Sequence, residues 1–399
     1  MDKLKQMMSK KSASSNDLLA PPADNTRKSS CRAPRVSPDP DAVQAANSRK
    51  TSCMVPPTSP PRSPEPPISE NGQQQQRKKS QNVIVKVHPY TDDPTIAWEM
   101  LKPRRTVKLV RPMKLDTPVR DDAVRFVSIA CTHGQQNAQL MEALPPGDVL
   151  LVAGDFTNCG LPDEIRAFDT FAGQLPYKHK ILVGGNHELS LDLSFIKGEF
   201  TRNEEIAGEA GIRRAMMASL SAHRIQTARD LITNCTYLED SGTDVFGLSI
   251  YGTPWLPKYD NWAFNMERGK PLLDKWNMIP ANVDVLITHT PPLGHGDICK
   301  IGSRVGCVEL LNSVVKRIRP KYHVYGHSQT LLASGAVLTM STACAMPMTN
   351  VYSPNAGYGC TSDGYTKFIN CAMCDEKVKI VHEPVIFDIV IGADRKSEG

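Results

Sequence analysis

Val149-Leu150-Leu151-Val152-Ala153-Gly154-Asp155 is the stretch on which the fold of this 399-residue chain turns. Its apolar run reads as a short strand buried on both faces. Gly154 permits a sharp exit, so the Asp155 carboxylate emerges where the strand ends. Alone, a Gly-Asp pair is equally an ordinary turn or helix N-cap. Four further segments repeat the design. Apolar runs at 125–130, 180–184, 283–287 and 322–325 lead into Cys131-Thr132-His133, Gly185-Asn186-His187-Glu188, Thr288-His289 and Gly326-His327-Ser328-Gln329. Polar side chains gathered at the carboxyl ends of buried strands are what an α/β metal site requires.

Between these runs the period changes. Residues 163–175 place Ile165, Phe168, Phe171, Ala172 and Leu175 at helical spacing, behind Pro162 at a permitted first-turn position. A mostly helical stretch is expected over 202–232, and another over 305–318 with Val308, Leu311, Val315 and Ile318 inward. Strands alternating with helices imply βαβ units and a sheet covered on both faces. Upstream, 83–87 predicts a short strand stopped by Pro89, and 106–111 a second with a wet basic face. Beyond Gly326, strands are expected at 337–340, 366–370, 378–381 and 384–390, forming a second sheet near the first.

Length suggests one large domain over 83–391, flanked by a disordered tail over 1–82 and a short one over 392–399. The first tail is rich in Ser, Pro, Arg and Gln, with a glutamine run at 73–76. Basic residues before Ser or Thr recur in it, and Ser37-Pro38, Ser59-Pro60 and Ser63-Pro64 are proline-directed. Kinases, and SH3- or WW-type partners of its prolines, are therefore expected there. A solvated linker with chance serines explains the same composition. A net charge of +5 without a concentrated basic face argues against specific nucleic-acid binding. The chain shows neither a membrane-length apolar run nor a signal-peptide core, and it carries 11 cysteines, an odd number. A reduced, cytoplasmic protein is the expectation.

Asn186 offers a neutral amide oxygen to a hard or borderline cation. His187, an imidazole, can give a proton to a leaving oxygen, while Glu188 reads as its orienter or as a cap. Taken singly, such residues more often serve loops and cores. Together, Asp155, Asn186, His289 and His327 make a complete four-ligand N/O set. Cys371-Ala372-Met373-Cys374 has metal or redox spacing without a second pair and is expected in a strand turn.

These ordered motifs resemble the calcineurin-like metallophosphoesterases, whose pattern is Asp-x-His, Gly-Asp, Gly-Asn-His-Glu/Asp, a later His and Gly-His-x-His. Closer still is the metallophosphoesterase-domain-containing branch, through Gly154-Asp155-Phe156-Thr157-Asn158, Tyr251-Gly252-Thr253-Pro254-Trp255, Leu272-Leu273-Asp274-Lys275-Trp276-Asn277, Thr290-Pro291-Pro292-Leu293-Gly294 and Pro384-Val385-Ile386-Phe387-Asp388. The resemblance covers about 94–389 and implies an α/β fold of two mixed sheets packed face to face, flanked by helices, with metals at one edge. It further implies that Asp155 bridges two divalent ions (Mn, Fe, Zn or Mg). Asn186, His289 and His327 would complete the second site, His133 would serve the first, and His187 would protonate the leaving group.

Two positions depart from the pattern. Cys131 stands where the family has its first Asp, and Gln329 where it has its last His. Both belong to the first site, which is therefore expected to be weak, with the second tight. Cys131 as thiolate suits a softer ion such as Zn²⁺, although a buried neutral thiol is the plainer reading. The expected function is hydrolysis of a small phosphodiester or nucleotide at reduced rate. Its alternatives are an impaired nucleotide- or phosphate-binding pseudoenzyme, or a scaffold acting through its phosphorylatable tail.

Overall fold

The structure, a computed structural model, describes residues 83–198, 207–299, 302–328, 358–375, 377–392 and 396, with only the backbone of 207–210. The expected tail over 1–82, the strand at 337–340 and Gln329 lie outside these residues.

In chain order the helices are Pro94–Leu101 (α1), Ala138–Ala143 (α2), Pro162–Gly173 (α3), Leu193–Lys197 (α4), Ala207–Ala222 (α5), Lys270–Met278 (α6) and Val308–Ser313 (α7). Strands are Lys108–Val110 (β1), Ala123–Ile129 (β2), Val149–Ala153 (β3), His179–Val183 (β4), Thr236–Tyr237 (β5), Ser241–Val245 (β6) and Leu248–Thr253 (β7). They continue with Leu256–Pro257 (β8), Asn265–Met266 (β9), Val285–Thr288 (β10), Tyr322–Tyr325 (β11), Gly359–Ser362 (β12), Lys367–Asn370 (β13) and Val385–Val390 (β14). Local chemistry sets the helix starts. Asp93 accepts the Ile96 N–H ahead of α1, Asn137 the Leu140 N–H ahead of α2, and Glu164 folds back onto the Leu161 N–H.

Two sheets result. One runs β14-β2-β3-β4-β5, with β2 to β5 parallel; the other runs β1-β12-β13-β11-β10-β7-β6, with β7, β10, β11 and β13 parallel. Alternate residues of each (Phe126, Leu151, Ile181 against Ile250, Ile287, Val324) meet in a single apolar core. Phe387 of β14 stacks on Tyr322 of β11 at 4.0 Å between ring centres, directly across the two sheets. The intervening Val127, Leu150, Val152 and Leu182 are buried too, so these strands read as unbroken apolar runs. Each such side chain contributes about 1.5–3 kcal/mol on leaving water.

The expected α/β sandwich of mixed sheets is therefore what forms, but the second sheet is not built from the last strands alone. β12 and β13 join β11, whereas β14 crosses to pair antiparallel with β2. A buried bidentate pair fixes that crossing: Arg125 Nε and Nη2 donate to Asp388 Oδ1 and Oδ2 at 2.8 and 2.9 Å. At the opposite end of β2, Ala130 bridges Ala372 beyond β13, drawing the sheets together at one edge.

Other expectations need correcting. Residues 83–88 form no strand; Val85 is buried and His88 N–H anchors on Glu309 Oε1 at 3.1 Å, without a partner strand to complete a ladder. At 378–381 only an isolated Cys374–Ile380 bridge forms, because the Asp375 carboxylate accepts the Lys377 and Lys379 N–H groups and rolls the chain into a turn. The helix foreseen over 305–318 starts at Val308 and passes into a π turn, Val314–Ile318. The stretch over 202–232 is helical from Ala207 to Ala222, then breaks at Arg224, whose φ is 56°.

Candidate metal centre

The carboxyl ends of β2, β3 and β4 in one sheet and of β10 and β11 in the other converge on this edge. The β2–β3 pairing runs past the strands, with Cys131 N–H donating to Gly154 O and His133 N–H to Asp155 O, both at 3.0 Å. Cys131, His133, Asp155 and His327 all sit in the left-handed region, at φ 54°, 44°, 55° and 65°. Such backbone costs about 1–3 kcal/mol per non-glycine residue and clusters at working sites. Gly154, at φ 86°, is required for a second reason: a Cβ there would meet His289 Nδ1 and lie 2.8 Å from Gly185 Cα.

His289 Nδ1 lies 2.8 Å from the Ala153 carbonyl, which places its proton there and leaves Nε2 a bare lone pair. That nitrogen faces Asn186 Oδ1 at 3.0 Å and Asp155 Oδ2 at 3.3 Å. His327 Nδ1 faces the same amide oxygen at 2.9 Å. Converging lone pairs in a buried place repel unless a proton or a cation sits among them. Protonation of His289 is one way to relieve that repulsion. Burial opposes it, yet the Asp155 charge and hydrogen bond raise the His289 pKa. Asp155, despite burial, is held well below the usual carboxylate range by His289 and His187. Burial and the His289 charge push His327 down to about 3, so it stays an uncharged donor. This neutral-nitrogen and oxygen set fits a divalent ion of borderline hardness.

Cys131, His133 and Asp155 form a second group whose ligand atoms lie within 4.8 Å of one another, as do those of Asp155, His289 and His327. Asp155 belongs to both and, among the described residues, is the candidate bridge between them. Burial and the neighbouring His187 push His133 down to about 4, leaving a lone pair for an ion. Of the expected site residues, all but Gln329, which lies outside the described residues, come together here.

His187 lies beside the pair. Its N–H donates to Asp155 Oδ1 at 3.0 Å, and its Nδ1 is held by the Asn158 carbonyl at 2.7 Å. The ring packs edge-on to His133 and lies 4.3 Å from the centre of Trp262, inclined by 32°. Glu188 does not orient this imidazole. Instead its buried carboxylate accepts N–H from Asp155, Thr157 and Gly185 and the Thr157 hydroxyl, at 2.6–2.9 Å, tying the β3 and β4 loops together. Burial and Asp155 push Glu188 up to about 7, against the pull of those donors. Asn158, Thr157 and Trp262 thus act in the site without carrying a metal-ligand signature; only the Gly-Asp-Phe-Thr-Asn string hinted at the first two. Cys371 and Cys374 take no part: Cys371 Sγ donates to Tyr325 O and Cys374 Sγ accepts from Gln135.

Residues 124–330 match the family model described as calcineurin-like phosphoesterase. Among curated relatives, the UPF0046 protein T07D4.2 of Caenorhabditis elegans is 52% identical over 317 residues, 79% of this chain and 72% of that protein. The human metallophosphoesterase domain-containing protein 1 is 36% identical over 324 residues, 78% of this chain and 87% of that protein.

Proposed function

The chain belongs to the calcineurin-like phosphoesterase family, and from that premise we propose that it hydrolyses a small phosphodiester, with a cyclic nucleotide as a candidate, at a rate lowered by its altered first metal site. Metal-dependent phosphoester hydrolysis is what membership points to. The observation that carries the reading is the convergence of His289 Nε2, His327 Nδ1, Asn186 Oδ1 and Asp155 Oδ2 on one point beside His187. Asp155, Asn186, His289 and His327, and Cys131, His133 and Asp155, would hold divalent ions there, whose charge would offset the negative charge building on phosphoryl oxygens.

The side chains do the rest. With Asn158 keeping a proton on Nδ1, the proton that His187 exchanges with a leaving oxygen is the one on Nε2. Trp262 packs against one face of that ring. Among the described residues, the charges that act most on His133 and His327 are those of histidines and Asp155. A monoanionic diester needs less cationic compensation than a dianionic monoester, which favours the diester.

Purified protein with Mn²⁺ should cleave bis(p-nitrophenyl) phosphate faster than p-nitrophenyl phosphate. His187→Ala should lower kcat about 10²–10⁴-fold while bound metal is retained. A rate indifferent to that substitution sinks the assignment.

The replacement of a carboxylate by Cys131 favours a second reading, a nucleotide- or phosphate-binding protein with little turnover, regulated by kinases acting on its tail. It predicts nucleotide binding without hydrolysis, and activity gained in the double variant Cys131→Asp, Gln329→His. A double variant with unchanged rate and metal content rules it out.

A further inference from the structure

We propose that the first metal position is a thiolate site, in which Cys131 Sγ, His133 and Asp155 select a thiophilic divalent ion of the zinc class over Mn²⁺ or Mg²⁺. The inference rests on the metal-binding part of the reading above and deepens it, turning the cysteine from a lost ligand into a changed one.

Placement comes first. Cys131 Sγ, the His133 ring and the Asp155 carboxylate present ligand atoms within 4.8 Å of one another, all from buried residues. The Cys131 thiol donates to Asp155 Oδ2 at 4.0 Å, so an ion taking the place of that proton would meet both atoms. The left-handed backbone at Cys131 turns its side chain toward this point, and Gly326 holds it there: a Cβ on that glycine would come within 3.1 Å of the sulfur.

The polar contacts point the same way. His327 N–H donates to Cys131 Sγ at 3.2 Å. At Cys307, a cysteine with a purely structural place, the N–H groups of Leu310 and the Trp276 indole reach sulfur at 3.4 Å, and burial pushes that thiol up to about 12. The contact at Cys131 is the shorter one and shows its sulfur lone pairs turned toward a donor at the edge of the centre.

Charge and hardness then decide the ion. A carboxylate exchanged for a thiolate keeps one negative charge, so Cys131 and Asp155 still neutralise a divalent ion. What changes is softness, because sulfur donors favour Zn²⁺, Co²⁺ and Cd²⁺, whereas Mg²⁺ and Mn²⁺ favour oxygen. On binding, the Cys131 S–H bond breaks, its proton leaves to solvent and the sulfur lone pair goes to the metal. The second position, with its N/O donors, keeps the harder preference. The centre is thereby a pair of unlike sites sharing Asp155. A thiolate also gives more electron density to its ion than a carboxylate does, which weakens that ion as a Lewis acid and agrees with a slow enzyme.

The test uses the full chain, stripped of metal with a chelator and titrated with Co²⁺ while absorption and metal content are recorded. The expected result is a near-ultraviolet sulfur-to-cobalt charge-transfer band that fills with one equivalent and is bleached by Zn²⁺ but not by Mg²⁺. Cys131→Ser should abolish the band and weaken Zn²⁺ binding by at least about tenfold. Cys131→Asp, which restores a carboxylate and keeps the charge, should lose the band but hold two equivalents of Mn²⁺. Cys374→Ala, at a cysteine that takes no part in the centre, should keep the band. A natural chain that binds Co²⁺ without the band, one that binds no Co²⁺, or a band that survives Cys131→Ser overturns the proposal. Because the band is read without turnover, a chain that shows it yet cleaves no phosphoester would refute the hydrolase and leave the thiolate site standing.

Discussion

Glu188 shows how far residue identity alone could be read. Its place after Asn186-His187 marked it as part of the site, but its task came from contacts 31 and 33 residues back in the chain. It accepts three N–H groups and one hydroxyl, so all its neighbours are donors. Glu188→Gln would set an amide NH₂ against one of them. We expect a loss of about 2–4 kcal/mol in stability, read by chemical unfolding, together with weaker metal binding as the Asp155 loop loosens. Glu188→Asp, shorter by one methylene, should lose part of the same stability. The candidate ligands were legible only as a set, because five polar clusters in order each follow an apolar run, whereas any one of them has plainer uses. Asn158 and Trp262 were not, since a backbone carbonyl and a ring face leave no signature in residue type.

At the scale of elements, alternation and burial predicted β2, β3, β4, β10 and β11 almost to the residue, because strands covered on both faces leave unbroken apolar runs. Prediction failed where a strand needs a partner or a local side chain competes. The β-branched run at 83–87 found none, and Asp375 turned 378–381 into a loop. β14 is the opposite case: its pairing with β2 depends on Arg125, a cation fully buried beneath Asp388. Asp388→Ala leaves that guanidinium without its carboxylate, and the expected cost is about 3–5 kcal/mol, seen as a lower Tm with the metal ligands untouched. Exchanging both residues for apolar ones of similar volume should recover much of that loss.

For the whole molecule, the buried histidines behind the site impose a pH dependence. His295 is stacked on Phe368 at 3.8 Å and bonded to Thr361, and burial, reinforced by Arg105 and Arg304, pushes it down to about 3. His323, also buried and beside His295, is lowered in the same direction. A histidine that refuses its proton when folded accepts it when unfolded, at about pH 6.5. Its effect is therefore nil above about pH 6.5, and stability falls as pH drops from there toward about 3, by up to about 1.4 kcal/mol per unit for each such group. Urea unfolding between pH 7 and pH 4 should show that slope, and His295→Gln should flatten it by roughly one proton. A slope unchanged in the variant would mean that His295 does not contribute.

By itself the sequence determined the layered α/β class, the order of the site motifs and the family, because buried parallel strands and metal ligands both demand particular residue types at particular places. Only the tertiary structure decided that β14 crosses to β2, that Asn158 rather than Glu188 holds His187, and that the side-chain atoms of Cys131, His133 and Asp155 lie within 4.8 Å of one another. Those outcomes depend on distances between groups far apart in the chain, and residue types in a line do not specify them until packing brings the strands together.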